Sequence, residues 1–275
     1  MRENIIHEKL KKGELIVGMG IFTGDPVLIQ MIGFCGYDFV FIDCEHTTTA
    51  IDTNLQSLII TANSVGMGTI VRVKINDEVM IRQAIEYGAD GVVVPHCRNA
   101  EEARRMVQAA KFPPLGVRGS ATDCRSAGYN CYPDFNFKEY VRKSNEETLI
   151  IPMAEDPEFF DNIDEILAVD GISAFLLGPS DLSLGLGIFE TYNMENPEIK
   201  NRFQMLFQKA KEKGIPLMSP IAPPTLDKAK SMVENGVRIM TLRNDVTNFR
   251  LAIQGLKKNV YDPLKTEFEN KSAEM

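Results

Sequence analysis

Acids, bases and cations gather just after apolar runs in this chain. The run DFVFID (38–43) stops at Asp43 and is followed by Glu45 and His46, one of only three histidines. TIVRV (69–73) carries Arg72, with Lys74 just beyond, and GVVVP (91–95) leads into His96. LIIPMA (149–154) leads into Glu155 and Asp156, ISAFLLG (172–178) into Ser180 and Asp181, and VRIMTL (237–242) into Arg243, Asn244 and Asp245. Two carboxylates on neighbouring strands, Glu155 and Asp181, suit a hard divalent cation whose other positions go to water or substrate. Arg72 suits the oxygen of an enolate or carboxylate. His46 beside Asp43 suits general-base work, with the acid orienting the ring. The GPSDLS turn opens a helix whose amides could receive an anionic carboxylate. Together the set describes metal-assisted enolisation of a small 2-oxo acid. Singly, several members have plainer readings. Asp156 and Asp245 read as helix N-caps, Lys74 as a solvent-facing residue, His96 as a rim residue, and Cys44 and Cys97 as small buried hydrophobes.

The elements that would position these residues repeat. With LIVGMGI (15–21) and IPLMSP (215–220) there are eight short runs rich in Val and Ile. Most are near-continuous rather than alternating, as strands covered on both faces require. Helical segments separate them, at 25–36, 50–66, 77–88, 99–112, 156–171, 196–214 and 223–236, several opening on Asp or Asn and closing at Gly. Eight β-α units predict an α/β fold, a (β/α)8 TIM barrel in one domain over 1–275, with a charged helical tail from about 257. A doubly wound open sheet is the alternative. In such barrels the chemistry sits at the C-terminal ends of the strands, where the residues above fall. One connection, 116–147, is too long to be a simple turn. It reads as functional or interfacial, and as a contributor to specificity.

The bulk numbers exclude some functions. The chain has 30 basic and 38 acidic residues, a net charge of −8, which argues against non-specific nucleic-acid binding and against an anionic membrane partner. No stretch approaches a membrane span. The five cysteines are odd in number and form no CxxC pair, so reduced thiols in a cytoplasmic protein are expected.

Over 15–256 the chain resembles the metal-dependent pyruvate aldolases of the HpcH/HpaI type, which include 4-hydroxy-2-oxoheptanedioate and 2-dehydro-3-deoxyglucarate aldolases. FIDCEH resembles that family's D-x-E-H, and VRV its strand-3 arginine. GADGVVVPHCRNAEEARRMVQAAKFPPLGVRG resembles its strand-4 block, which ends in G-x-R-G. AEDPEFFDNIDEIL and GPSDLSLGLG resemble the blocks that hold its two metal carboxylates.

The resemblance implies a phosphoenolpyruvate/pyruvate-type barrel that cleaves a 4-hydroxy-2-oxo acid to pyruvate and an aldehyde through a metal-stabilised enolate. Glu155 and Asp181 would bind the metal (Mg, Mn or Co), and Arg72 would meet the 2-oxo oxygen. His46, held by Asp43, would serve the proton transfers, with Glu45 as an orienting group. The backbone at Ser180 and Asp181 would hold the pyruvate carboxylate. Assembly as a homo-trimer or homo-hexamer is implied as well. The chain departs from the family in having Met153 where Gln is common, His96 where an apolar residue is common, and more charge after strand 8. A decarboxylase, a citrate-lyase-type acyl-CoA lyase, a Schiff-base aldolase using Lys74 and a non-catalytic oxo-acid binder are the alternatives.

Overall fold

A computed structural model describes residues 3–189 and 194–273. Eight parallel strands close into a barrel in chain order. They are β1 (Ile16–Ile21), β2 (Phe39–Asp43), β3 (Gly68–Arg72), β4 (Gly91–Val94), β5 (Leu149–Ala154), β6 (Phe175–Leu177), β7 (Leu217–Pro220) and β8 (Val237–Asn244). Each lies inside one of the expected runs or overlaps it closely. Closure comes from β8 pairing with β1, through Ile16↔Ile239 and Val17↔Met240.

The helices are α1 (Ile5–Lys11), α2 (Pro26–Phe34), α3 (Thr53–Ser64), α4 (Glu78–Glu86), α5 (Ala100–Ala110), α6 (Phe137–Glu147) and α7 (Pro157–Asp161). They continue as α8 (Ile163–Ile166), α9 (Pro179–Gly185), α10 (Pro197–Lys213), α11 (Leu226–Glu234), α12 (Asp245–Leu256) and α13 (Asp262–Ala273). Most start where a side chain can accept from an orphan amide: Asp25, Asp52, Asp77, Asn99, Asn136, Asn196, Thr225 and Asn244 all do so. The expected 156–171 helix is two short helices instead. The break is at Asn162, whose backbone leaves the helical region (φ −107°, ψ 18°) and whose side chain donates to the Arg98 carbonyl at 2.9 Å. The tail is helical from α12 through α13, by way of a wide turn at Lys257–Tyr261. Among the described residues no helix is long and apolar enough to cross a membrane.

The strands are buried on both faces, which explains the unbroken apolar runs. One core lies between sheet and helices and holds Val40, Ile42, Val71, Val92, Val94, Phe175 and Leu177. A second fills the barrel and holds Phe39, Phe41, Ile70, Val93, Ile151, Met153, Leu176 and Ile239. Phe39 is fully buried, and such a side chain contributes about 2–3 kcal/mol over its exposed state. The helix α1 stops the barrel floor with Ile6. Gly68 makes room for it, since a Cβ there would stand 2.6 Å from Ile6 Cγ1. Alternation then aims the mouth residues. Asp43 lies two positions beyond Phe41, Arg72 two beyond Ile70, and Glu155 two beyond Met153, so all three continue the inward-facing set.

The 116–147 excursion lies at the floor, because it connects a helix to a strand and such connections emerge at the strands' N-terminal ends. Arg125 donates to Asn63 Oδ1 at 2.8 Å near the end of α3, and it borders Gly88 just after α4. The excursion has its own small core of Phe112, Ala127 and Tyr140. This placement sets it at the end of its own barrel opposite the mouth residues.

Candidate active site

Asp43 is fully buried and grips Arg72 with both oxygens. Arg72 Nε donates to Oδ1 at 2.7 Å and Nη2 to Oδ2 at 2.8 Å. Register brings the two together, since Asp43 and Arg72 are direct partners across β2 and β3. The same carboxylate accepts the backbone N–H groups of Glu45 (3.0 Å) and His46 (3.3 Å) and so shapes the loop after β2. A second acid, Glu45, stands 3.0 Å from Arg72 Nη1. Burial alone would depress the Arg72 guanidinium, but Asp43 and Glu45 outweigh it and raise its pKa. Burial pushes the Glu45 carboxyl up, against the pull of Arg72 and His46.

The expected support of the His46 ring by Asp43 is corrected here. Asp43 is occupied by Arg72 and reaches only the His46 backbone. The ring faces Glu45 instead, with Nε2 3.5 Å from Oε2, and stands more than half exposed at the rim. A planar guanidinium satisfies both carboxylate oxygens at once, which a single imidazole N–H cannot do.

Glu155 is 2% exposed. Its Oε1 accepts the His96 backbone N–H at 2.8 Å. Burial, then the nearby Asp181 and Glu45, push its carboxyl up to about 7. Its place exists because residue 178 is glycine. A Cβ on Gly178 would fall 2.4 Å from Glu155 Cβ and 2.8 Å from Oε2. Asp181, in the first turn of α9, lines the mouth cavity with Ser180. The His96 ring holds Nδ1 3.7 Å from Glu155 Oε1 and 3.2 Å from Asp156 Oδ2. Asp156 also pairs with Arg98 at 3.1 Å, so its side chain is not the cap of α7. Ligand atoms of His96, Glu155 and Asp156 lie within 4.8 Å of one another. A buried carboxylate that no lysine or arginine pairs with, flanked by further oxygens and an imidazole, is a donor set that fits a divalent cation.

The cavity measures about 410 Å³, within the range of small-ligand sites. Phe22, Phe41, Met153, Leu176 and Met218 give it apolar walls, and Arg72, Ser180 and Asp181 give it polar ones. The Met153 thioether, 3.9 Å from Arg72 Nη1, is a weak acceptor. The guanidinium therefore keeps donors for an oxygen inside the cavity. Lys74 is exposed and is not part of the cavity wall. Cys44 and Cys97 are buried, as expected, and burial raises both thiols, Cys44 to about 12. All five cysteines are free.

The wall also holds Thr241, Arg243 and Arg250. Sequence reasoning noted Arg243 without a role and passed over Arg250. Counting in twos from Ile239 reaches Thr241 but not Arg243, because the pairing with β1 shifts register between Thr241 and Asn244 and Arg243 has φ 65°. Asp245 is not a cap either. It accepts from Phe22 N (2.9 Å), Thr23 N (3.1 Å) and the Thr23 hydroxyl, while Asn244 caps α12.

A model of the HpcH/HpaI aldolase/citrate lyase family matches residues 18–252. The chain is similar to the 5-keto-4-deoxy-D-glucarate aldolase of Enterobacter sp. (strain 638), 30% identical over 260 residues that make up 93% of this chain and 98% of that protein. It is also similar to the solved HpcH/HpaI aldolase from Desulfitobacterium hafniense DCB-2, with a TM-score of 0.83, 27% identity, and coverage of 92% of this chain and 96% of that one. The likeness to the citrate synthase SbnG is one of fold, with a TM-score of 0.81 at 24% identity over 98% of this chain and 100% of the other. With this span of sequence and a closed barrel carrying these residues at its mouth, the chain belongs to the HpcH/HpaI aldolase/citrate lyase family, a family of carbon–carbon lyases.

Proposed function

We propose that this chain is a divalent-metal-dependent aldolase that cleaves a 4-hydroxy-2-oxo acid to pyruvate and an aldehyde. The observation that carries this reading is the Arg72 guanidinium, locked by Asp43 at 2.7 and 2.8 Å and facing a cavity that also holds Asp181, beside the buried Glu155. Glu155 and Asp181 would hold the cation, which when bound would draw charge from the 2-oxo oxygen and ease enolate formation. Arg72 donates to the same oxygen, and its donors are fixed in place before charge develops there. The backbone at Ser180 and Asp181 receives the pyruvate carboxylate. His46 Nε2 takes the 4-hydroxyl proton through water, with Glu45 holding the ring. The C3–C4 bond then breaks, its electron pair moves onto the 2-oxo oxygen, and the aldehyde leaves. Return of a proton to C3 gives the pyruvate methyl group. The Enterobacter relative named above supports an acidic sugar derivative as substrate. Self-assembly into a trimer or hexamer belongs to the same reading, and the exposed Leu256, Val260, Tyr261 and Leu264 of the tail suit it. Light scattering tests that part.

The main test is deuterium exchange into the methyl group of pyruvate, followed by NMR. Exchange that needs Mg, Mn or Co, stops with chelator and is lost in Asp181→Ala supports the mechanism. A folded protein that exchanges with none of these metals sinks it and turns attention to the decarboxylase, acyl-CoA lyase and binder readings. Exchange that survives chelation points to Lys74 and a Schiff base.

A further inference from the structure

We infer that His96, Glu155 and Asp156 form a second cation site at the rim of the mouth, one that takes a transition ion such as Zn or Co through an imidazole nitrogen and two carboxylate oxygens. The inference rests on the lyase reading above for the position of the first cation, at Glu155 and Asp181, and adds a site that this reading does not use.

Three observations carry it. The first is spacing. Ligand atoms of the three residues lie within 4.8 Å of one another. His96 Nδ1 stands 3.2 Å from Asp156 Oδ2 and 3.7 Å from Glu155 Oε1. Two donors on one ion, each about 2.1 Å from it, stand about 3.0–3.4 Å apart at octahedral or tetrahedral angles. An ion therefore fits among the three with small side-chain shifts. The second is the state of the carboxylates. Glu155 is 2% exposed, and among the described residues no lysine or arginine pairs with it. Asp156 gives Oδ1 to Arg98 at 3.1 Å and turns Oδ2 toward His96. Arg98 thereby steadies the carboxylate as an outer partner steadies a metal ligand. The third is direction. Glu155 Oε1 accepts the His96 backbone N–H at 2.8 Å, whereas Oε2 borders Gly178, just before the helix that carries Asp181. The carboxylate thus has one oxygen on each side, and Asp181 stands outside the rim cluster.

Donor chemistry separates the two sites. Glu155 and Asp181 offer oxygen alone, which suits Mg or Mn. An imidazole suits Zn, Co or Ni, and those ions bind any mixed nitrogen and oxygen set more tightly than Mn does. The two acids and Arg98 leave the cluster with a net negative charge, as a cation requires. Because Glu155 serves both sites, an ion at the rim draws charge from the carboxylate that holds the first cation.

The chain has three histidines, His7, His46 and His96, so imidazole signals report on the site directly. The test follows the histidine nitrogen resonances by NMR as Zn is added to protein saturated with Mg. Zn should move the His96 Nδ1 resonance and leave those of His7 and His46 in place. His96→Asn should weaken Zn binding by about 10- to 100-fold or more, since even an outer partner is worth that much. It should leave Mn affinity nearly unchanged, because Mn takes the oxygen site. Asparagine suits the left-handed backbone of His96, φ 57°, and keeps the N–H that Glu155 accepts, so the variant should melt with the wild type in chelator. Asp181→Asn should do the opposite, weakening Mn binding and sparing Zn. A His96 resonance that Zn does not move, or Zn affinity unchanged in His96→Asn, overturns the rim site and leaves the lyase reading standing. Zn binding lost in both His96→Asn and Asp181→Asn merges the donors into one position and also overturns it. Zn held at the rim of a protein that binds neither Mg nor Mn supports the rim site and sinks the metal-dependent lyase reading instead.

Discussion

The two ends of the barrel treat buried charge differently. At the floor, Lys111 is 4% exposed and gives its ammonium to the carbonyls of Asn145 (2.6 Å) and Thr148 (2.7 Å), and burial then Arg118 lower it to about 8. Arg118 lies over the Phe112 ring at 4.4 Å and donates to Ser144 Oγ (3.0 Å) and the Tyr140 hydroxyl (3.2 Å). These partners are neutral, local and already present. At the mouth the carboxylate of Glu155 has no arginine or lysine beside it, and Arg243 has no acid. The floor meets most of its charged donors from within, although Arg118 Nε and His7 Nε2 are buried there without a hydrogen-bond partner. The mouth leaves some unsatisfied, and the missing partners are what a substrate and a cation would bring. Active sites tend to give up stability in this way.

Variants at each end test the contrast. The largest effect should come from Arg72→Lys, which keeps the charge and loses the fork. Pyruvate exchange should fall about 100- to 1,000-fold, and a fall of less than tenfold would remove Arg72 from the chemistry. Next comes Glu155→Gln. The Glu155 carboxyl is raised from 4.5 to about 7 in the folded, metal-free protein. Its contribution to stability is therefore full below pH 4.5 and is lost as pH rises through 7. Melts in chelator should find the variant more stable than the wild type by about 3 kcal/mol at pH 8, with little difference near pH 4.5. Added Mn should stabilise the wild type and not the variant. A variant less stable at pH 8 would contradict the account of the mouth. Arg118→Ala should do the reverse at the floor, costing about 2 kcal/mol of stability and leaving pyruvate exchange per folded molecule within twofold of the wild type, as kinetics and chemical denaturation can report together. The smallest effect belongs to Lys74→Ala. Exchange should stay within about twofold and borohydride should trap no adduct with pyruvate, since a Schiff base would need this lysine in the cavity.

How much of this was legible beforehand follows the physics of each feature. The eight strands were readable because a strand covered on both faces must be apolar throughout. The mouth residues were readable because each follows such a run. Register was not readable, so the Asp43–Arg72 pair was assigned to Asp43 and His46 instead. Neighbours in sequence stood in for neighbours across the ladder. The split at Asn162 depends on a hydrogen bond to Arg98, 64 positions away, which no local pattern carries. The floor position of 116–147 did follow from topology, since any helix-to-strand connection in such a barrel lies there. Length alone drew attention to it as a specificity element. Arg243 was visible, but its place in the cavity wall follows a register shift and a left-handed backbone that no alternation pattern carries. Arg250 sits on an exposed helical turn and gave no signal.

Asp245 has a consequence for how the chain folds. Its carboxylate fastens Phe22 and Thr23, just past β1, to the start of α12, joining positions 223 apart. The β1–β8 ladder is the seam where a linear chain becomes a ring, and its loop-closure entropy is the largest in the molecule. Loop-closure entropy opposes contacts of such separation until the chain between them is ordered, so the clasp is expected to close after the nucleus. Asp245 therefore acts as a clasp on a finished ring. Weakening it to Asn should quicken unfolding and leave the refolding rate nearly unchanged, so the protein's lifetime under stress is set at this seam.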